Sequence, residues 1–301
     1  MTEVQCTFVS TRGLAKSCVQ CPEWKLDGSI HYPLHHNNQH GDTIYLMFDW
    51  VEPFIHQHLS QMKQPFILVT GNSDHTTPVD FPSASRLLED PKCLAWFSQN
   101  CIAIDHPKLK HIPIGLDYHT LSFPRGDHSW GPSGVLPLLQ ELELKQVASE
   151  LKSLYDTNPT AVTNFHLAMN EPPRRFFYRQ PAYQALKNNS SITWLPPQTR
   201  VEFWKSCNAS AFVICPFGNG LDTHRTWEVL VLGRIPIIKA SPLNVIFEKL
   251  PVLVIQDWKQ VTPEFMVAQY QLILQKHKHN EYDLSRLTLA YWMSRINGLR
   301  Q

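Results

Sequence analysis

The residues best placed to do chemistry lie close together late in the chain: Gly218, Asn219, Gly220, Asp222, His224, Arg225 and Glu228. A guanidinium forks onto two oxygens of a phosphate, and a helix N-terminus, the positive end of its dipole, attracts the same group. With Asp222 as N-cap, His224 and Arg225 fall in the first turn of a helix, and Glu228 lies roughly 9 Å beyond its start at 1.5 Å per residue. That is about the separation of a diphosphate from the ribose that carries it, and a carboxylate there can accept from two ribose hydroxyls. The segment is therefore able to hold a sugar nucleotide. The same residues also fit ordinary turn chemistry followed by a solvated Arg–Glu pair.

Three further groups carry candidates. Asp74 and His75 follow the apolar run Pro65–Thr70, and residues at the carboxyl end of a parallel strand line the crevice where ligands bind, so each is a possible general base. The run Gly71-Asn72-Ser73-Asp74 is equally a turn. Arg174 and Arg175 follow a strand read at 160–169 and suit a phosphate, or an ordinary charged surface. Asp117 and His119, together with His75, fit hydroxyl recognition on an acceptor; Asp117 and His119 fit turn capping as well. Cys18 and Cys21 form a Cys-x-x-Cys pair with His31, His35 and His36 nearby, but a zinc site needs four ligands and there is no second pair, so no metal is expected.

These residues need elements to hold them. Residues 211–215 form an apolar run without alternation, which fits a strand covered on both faces of a parallel sheet. A helix is predicted from Asp222 to Gly233, with Trp227, Leu230 and Val231 at helical spacing, then a strand over 234–240. Other strands are predicted at 6–10, 65–70, 101–105, 160–169, 192–195 and 252–257. Helices are predicted within 42–62 and at 83–100, 140–154, 200–207, 241–250, 262–278 and 282–299. Strands alternating with helices in both halves predict α/β architecture, with two doubly wound, Rossmann-like domains facing a cleft. Residues 123–137, rich in Pro and Gly, read as the linker, so an acceptor-side domain is expected at 1–130 and a donor-binding domain at 131–301.

CPFGNGLDTHRTWEVLVLGRIPIIK, residues 215–239, resembles the donor-binding segment of exostosin-like glycosyltransferases, inverting sugar transferases of the two-domain GT-B architecture. The match is close there and looser elsewhere, including residues 112–119. The resemblance implies that Arg225 and Glu228 hold the diphosphate and ribose of a UDP-sugar and that one of Arg174 and Arg175 contacts the diphosphate. It also implies that Asp74 is the base that deprotonates a glycan hydroxyl. UDP-xylose, UDP-glucuronate, UDP-galactose and UDP-N-acetylglucosamine are donors among such enzymes, and a last helix commonly crosses back to the first domain. A module that binds nucleotide sugar or glycan without catalysis is the alternative.

Composition narrows the partners. The Rossmann glycine fingerprint and the phosphate loop with its lysine are both absent, which argues against an ordinary dinucleotide enzyme or kinase. No Asp-x-Asp motif occurs, so transfer without a metal or other cofactor is expected. The net charge of +1, with no basic block, offers no footprint for nucleic acid or an anionic membrane. The polar start MTEVQCTFVSTRG has no signal-peptide core, and no run reaches the roughly 18 apolar residues of a membrane span. A soluble cytoplasmic protein is expected, or a Golgi-lumenal one if an anchor has been removed. Seven cysteines, several of them in apolar strands, read as reduced.

Overall fold

The computed structural model describes residues 2–25, 29–103, 105–124, 126, 128–167 and 179–300. The chain forms two compact units, Met1–Asp117 with Thr288–Gln301, and Tyr118–Leu287.

The first unit opens with helix α1 (Thr11–Lys16), capped by Ser10, whose hydroxyl accepts from the Gly13 amide. A short antiparallel pair, β1 (Glu23–Trp24) and β2 (Ile30–His31), follows. The main sheet is parallel throughout, in the order β3 (Asp42–Met47), β4 (Phe66–Gly71), β5 (Cys93–Ser98), β6 (Leu109–His111). Every residue of β4 is buried, as the unalternating run PFILVT requires of a central strand covered on both faces. One face packs on α2 (Val51–Gln57) and α3 (Ala84–Glu89), where Ile44, Leu46, Phe54, Phe66, Leu68, Leu87 and Trp96 form a core.

Three stretches of this unit differ from the sequence expectation. Residues 6–10 form no strand: Phe8 and Ser10 make only isolated bridges, to Thr288 and Gly115. The 42–62 segment begins with a strand, because Thr43-Ile44-Tyr45-Leu46 is a buried, unalternating run and the helical spacing starts only at Val51. The 83–100 segment is helix only to Glu89, since Pro91 ends it and the apolar residues beyond form β5; the strand expected at 101–105 gives way to β6 at Leu109–His111.

The second unit begins with Tyr118. Its Oη donates to Glu141 at 2.6 Å, and the Trp130 carbonyl accepts from the Arg200 amide at 2.9 Å, so Tyr118 and Trp130 are bound into this unit ahead of helix α4 (Pro137–Glu150). The sheet contains β7 (Asn158–Thr163), β8 (Ile192–Trp194), β9 (Ser210–Ile214), β10 (Ile235–Lys239) and β11 (Leu253–Ile255), with helices α5 (Arg179–Leu186), α6 (Arg200–Ser206), α7 (His224–Val231), α8 (Asn244–Phe247) and α9 (Pro263–Lys278). Its order is β11-β10-β9-β7-β8, all parallel. The chain runs outward from β7 to β8, then returns to place β9 on the other side and continues to β11. The winding therefore reverses between β7 and β9. Phe212, Ile214, Ile235, Ile237, Met266 and Tyr270 share the core on one face.

Helix α10 (Leu289–Asn297) ends the chain and belongs with the first unit. It is capped by Thr288, whose hydroxyl accepts from the Tyr291 amide; the preceding 284–287 turn is a separate 3-10 segment. No described helix is long and apolar enough to cross a membrane.

Candidate functional site

In an open α/β sheet, ligands bind beyond the carboxyl ends of the strands where the winding reverses. In the second unit that point is the end of β7 and β9, and the segments leaving those strands carry the charged side chains. Asn164 follows β7. Cys215 to Thr223 follow β9 and lead into α7. Arg179 opens α5, and Arg225 lies in the first turn of α7.

The two arginines have no carboxylate partner among the described residues. Arg179 donates from Nε to the Phe217 carbonyl at 3.3 Å and from Nη1 to the His166 carbonyl at 3.2 Å. Arg225 donates from Nη1 to Asn164 Oδ1, and its guanidinium lies 4.1 Å from the Phe203 ring centroid. Burial, and then the Arg225 cation beside it, hold the Arg179 pKa below the usual arginine value. Two half-buried cations that repel each other, on a helix N-terminus, make a place where an anion is stabilised. Gly218 sits against Arg179. Its φ is not left-handed, so glycine is not needed for the turn; a Cβ would instead stand 3.6 Å from Arg179 Nη2, on the approach to the guanidinium. Asn219 is half-buried and Gly220 buried, its carbonyl accepting from the Gly218 amide at 3.2 Å.

The start of α7 differs from the sequence expectation. Thr223, at φ −134 and ψ 140, occupies the N-cap position and makes no side-chain cap bond. Asp222 is one residue too early to cap: its carboxylate accepts from the Trp227 indole at 2.9 and 3.1 Å and from the Thr223 amide at 2.9 Å. Trp227 is thereby locked in the core, against Phe247. The helix starts at His224, so Glu228 lies only about 6 Å beyond its first residue. His224 is half-buried, its ring 6.0 Å from that of His119.

Glu228 is buried and held by two donors. Arg200 Nε donates to Oε1 at 2.8 Å and Trp204 Nε1 to Oε2 at 3.2 Å. Arg200 is the first residue of α6, whose Thr199–Glu202 capping box fixes the helix start. Gln140 of α4 accepts from Arg200 Nη1 at 3.2 Å. Sequence reading missed Arg200, Trp204, Asn164 and Arg179. The capping box marked the position of Arg200, and Arg179 was legible as a third arginine just beyond Arg174 and Arg175, which lie outside the described residues.

In the first unit, the 71–75 loop leaves β4 beside β5. Gln99 anchors its root: Oε1 accepts from the Asn72 amide at 2.9 Å, while Nε2 donates to Thr11 Oγ1 at 2.7 Å and to the Pro113 carbonyl at 3.2 Å. His75 is held by Ser73 Oγ at 2.9 Å and packs against the rings of Phe48 and Phe81, each 5.8 Å away and themselves in contact. Asp74 is exposed, and nothing among the described residues bonds to its carboxylate. Asp117 is buried at the end of this unit. Among the described residues no group of three His, Cys, Asp or Glu converges as a metal site would require, and none of the seven cysteines forms a disulfide.

These features define an α/β protein with two parallel-sheet units and an arginine anion site at the reversal point of the second. No family model and no curated protein matches the chain. Solved structures similar to it include apo OtsA, at 10% identity with 86% of this chain and 73% of that one covered and a TM-score of 0.39. Another is a trehalose-6-phosphate structure from E. coli bound with UDP-2-fluoro glucose, at 10% identity, 86% and 74% coverage and a TM-score of 0.40. Likeness at this level leaves the fold to be read from the chain's own sheets.

Proposed function

We propose that the chain is a glycosyltransferase of the GT-B class that moves a sugar from a UDP-sugar, UDP-xylose among the candidates, to a glycan hydroxyl with inversion. The observation that carries this is the pairing of Arg179 and Arg225, two guanidiniums without a carboxylate partner among the described residues, at the reversal point of a parallel sheet and the N-terminus of α7. The exostosin-like resemblance of residues 215–239 gives that anion site its substrate class.

In this reading the acceptor oxygen attacks the anomeric carbon as Asp74 takes its proton, and the bond from that carbon to the diphosphate oxygen breaks. Arg225, Arg179 and the α7 dipole meet the charge that develops on the departing UDP, and Glu228 accepts from the ribose. Cations supplied by side chains take the place of a divalent metal, so transfer continues in a chelator; a strict manganese requirement would count against the assignment. His75, Asp117 and His119 are the acceptor-side candidates.

Calorimetric titration of the protein with UDP is the direct test. Arg225→Ala and Arg179→Ala each weaken UDP by roughly ten- to a hundred-fold, the worth of one charge-assisted hydrogen bond. Asp74→Asn abolishes transfer and leaves the Kd for UDP unchanged, whereas a pure binding module would be indifferent to that change. Absence of UDP binding to the unaltered protein overturns the proposal.

A further inference from the structure

We infer that Arg200 is a positioning residue that turns Glu228 into a reader of ribose hydroxyls; the inference rests on the nucleotide-sugar reading above. Glu228 lies one turn beyond Arg225 on α7, within the same unit as the anion site. Its two oxygens each receive one donor from α6, Arg200 Nε and Trp204 Nε1, so the plane of the carboxylate is fixed from one side. Each oxygen keeps a second lone pair, and a diol needs two acceptors held at fixed spacing.

Two observations say that this network is not there for packing. A buried arginine–carboxylate pair contributes little net stability, and apolar residues of the same volume commonly do as well. Arg200 and Glu228 are 7% and 7% exposed, so both ions are desolvated. The arrangement is also incomplete: Arg200 Nη2 is buried and has no hydrogen-bond partner among the described residues, although Nη1 reaches Gln140. A fold selecting for stability alone would not strand a guanidinium N–H.

The consequence is a division of labour along α7. Arg225 and Arg179 take the diphosphate whatever nucleoside it carries, and the Glu228 carboxylate, oriented by Arg200, discriminates ribose from deoxyribose. Arg200→Lys keeps the charge beside Glu228 but loses the directed Nε–H that, with the Trp204 indole, sets the carboxylate plane, and with it the Nη1 bond to Gln140.

The test titrates the full chain with UDP, 2′-deoxy-UDP and inorganic pyrophosphate, with the melting temperature measured in parallel. The unaltered protein binds UDP about tenfold or more tightly over 2′-deoxy-UDP, the worth of one hydrogen bond to a charged group. In Arg200→Lys that ratio falls to near one while pyrophosphate binds as before. Trp204→Phe, which leaves the ion pair in place, lowers the ratio to an intermediate value and supplies the answer should the lysine variant fail to fold. A merely structural Arg200 would lower the melting temperature and weaken UDP and 2′-deoxy-UDP equally, and an unchanged ratio overturns the inference. Pyrophosphate binding with no preference for UDP over its deoxy analogue overturns this inference alone. Failure of both UDP and pyrophosphate to bind overturns the nucleotide-sugar reading with it.

Discussion

Four arginines of the second unit have been given different surroundings, and the surroundings set what each can do. Arg200 is matched by Glu228 and Arg234 by backbone carbonyls, while Arg179 and Arg225, each felt by the other's charge, are uncompensated by any described carboxylate. Only the last two gain from an added anion. The histidines of the first unit offer a separate residue-scale prediction. Burial, and then the neighbouring His36, hold the His58 pKa below its usual value, and burial does the same to His111, helped by Arg295 and Lys110. The folded state thus binds protons less readily than the unfolded chain, whose histidines titrate near 6.5. Stability from these two groups is fully present above that pH and is lost as pH falls through the unfolded value toward the folded ones. The melting temperature therefore declines as pH is lowered from 7 to 5, and His111→Gln flattens the decline; a temperature flat over that interval would refute the assignment.

At the scale of elements, α7 is stopped by a device visible in the sequence. Gly233 takes φ +67, its amide bonds to the Leu230 carbonyl at 3.0 Å, and the Arg234 amide bonds to that of Val229 at 3.0 Å, closing the helix end as a glycine after the last turn allows. What the sequence did not reveal is the destination of the Arg234 side chain. The residue is 2% exposed, and its guanidinium donates to the carbonyls of Cys207, Asn208, Gly233 and Lys152, all just past the ends of α6, α7 and α4. The negative ends of three helix dipoles therefore converge on one cation. Arg234→Met strands those carbonyls and costs on the order of 3 kcal/mol, which in a unit of this size lowers the melting temperature by roughly 6–12 °C. Arg234→Lys recovers little of it, because an ammonium cannot fork to four acceptors. A shift of a degree or two in a thermal melt would show that the carbonyls find water instead.

Over the whole molecule, each unit has its own sheet and its own core, and the anion site is assembled from one of them. Asn164, Arg179, Gly218 and Arg225 all fall within Tyr118–Leu287, an uninterrupted stretch of chain, whereas the first unit is completed by the C-terminal segment Thr288–Gln301. A fragment spanning residues 118–287 is therefore expected to fold and to bind UDP with the affinity of the full chain. It should lack transfer activity, because Asp74 lies in the other unit. Calorimetry on the purified fragment decides the matter: affinity weakened by a hundredfold or more would mean that donor binding draws on residues outside it.

Parallel α/β architecture, the buried strand before Cys215, the amphipathic α7 and the placement of Arg225 in its first turn were all legible in the residues. Each depends on local periodicity, on glycine and proline, or on the fixed rise of a helix. The partners of side chains were not legible. Glu228 meets Arg200 and Trp204 across 28 and 24 residues, and Arg225 meets Asn164 across 61, because parallel strands bring distant segments side by side. The same physics moved Asp222 from cap to indole acceptor, since a buried Trp227 N–H has to find an oxygen and the core brought that one within reach. Sequence by itself determined which residues are able to carry charge onto a ligand. Tertiary structure decided which of those charges are already neutralised and which remain free, as electrostatic compensation is a property of neighbours in space.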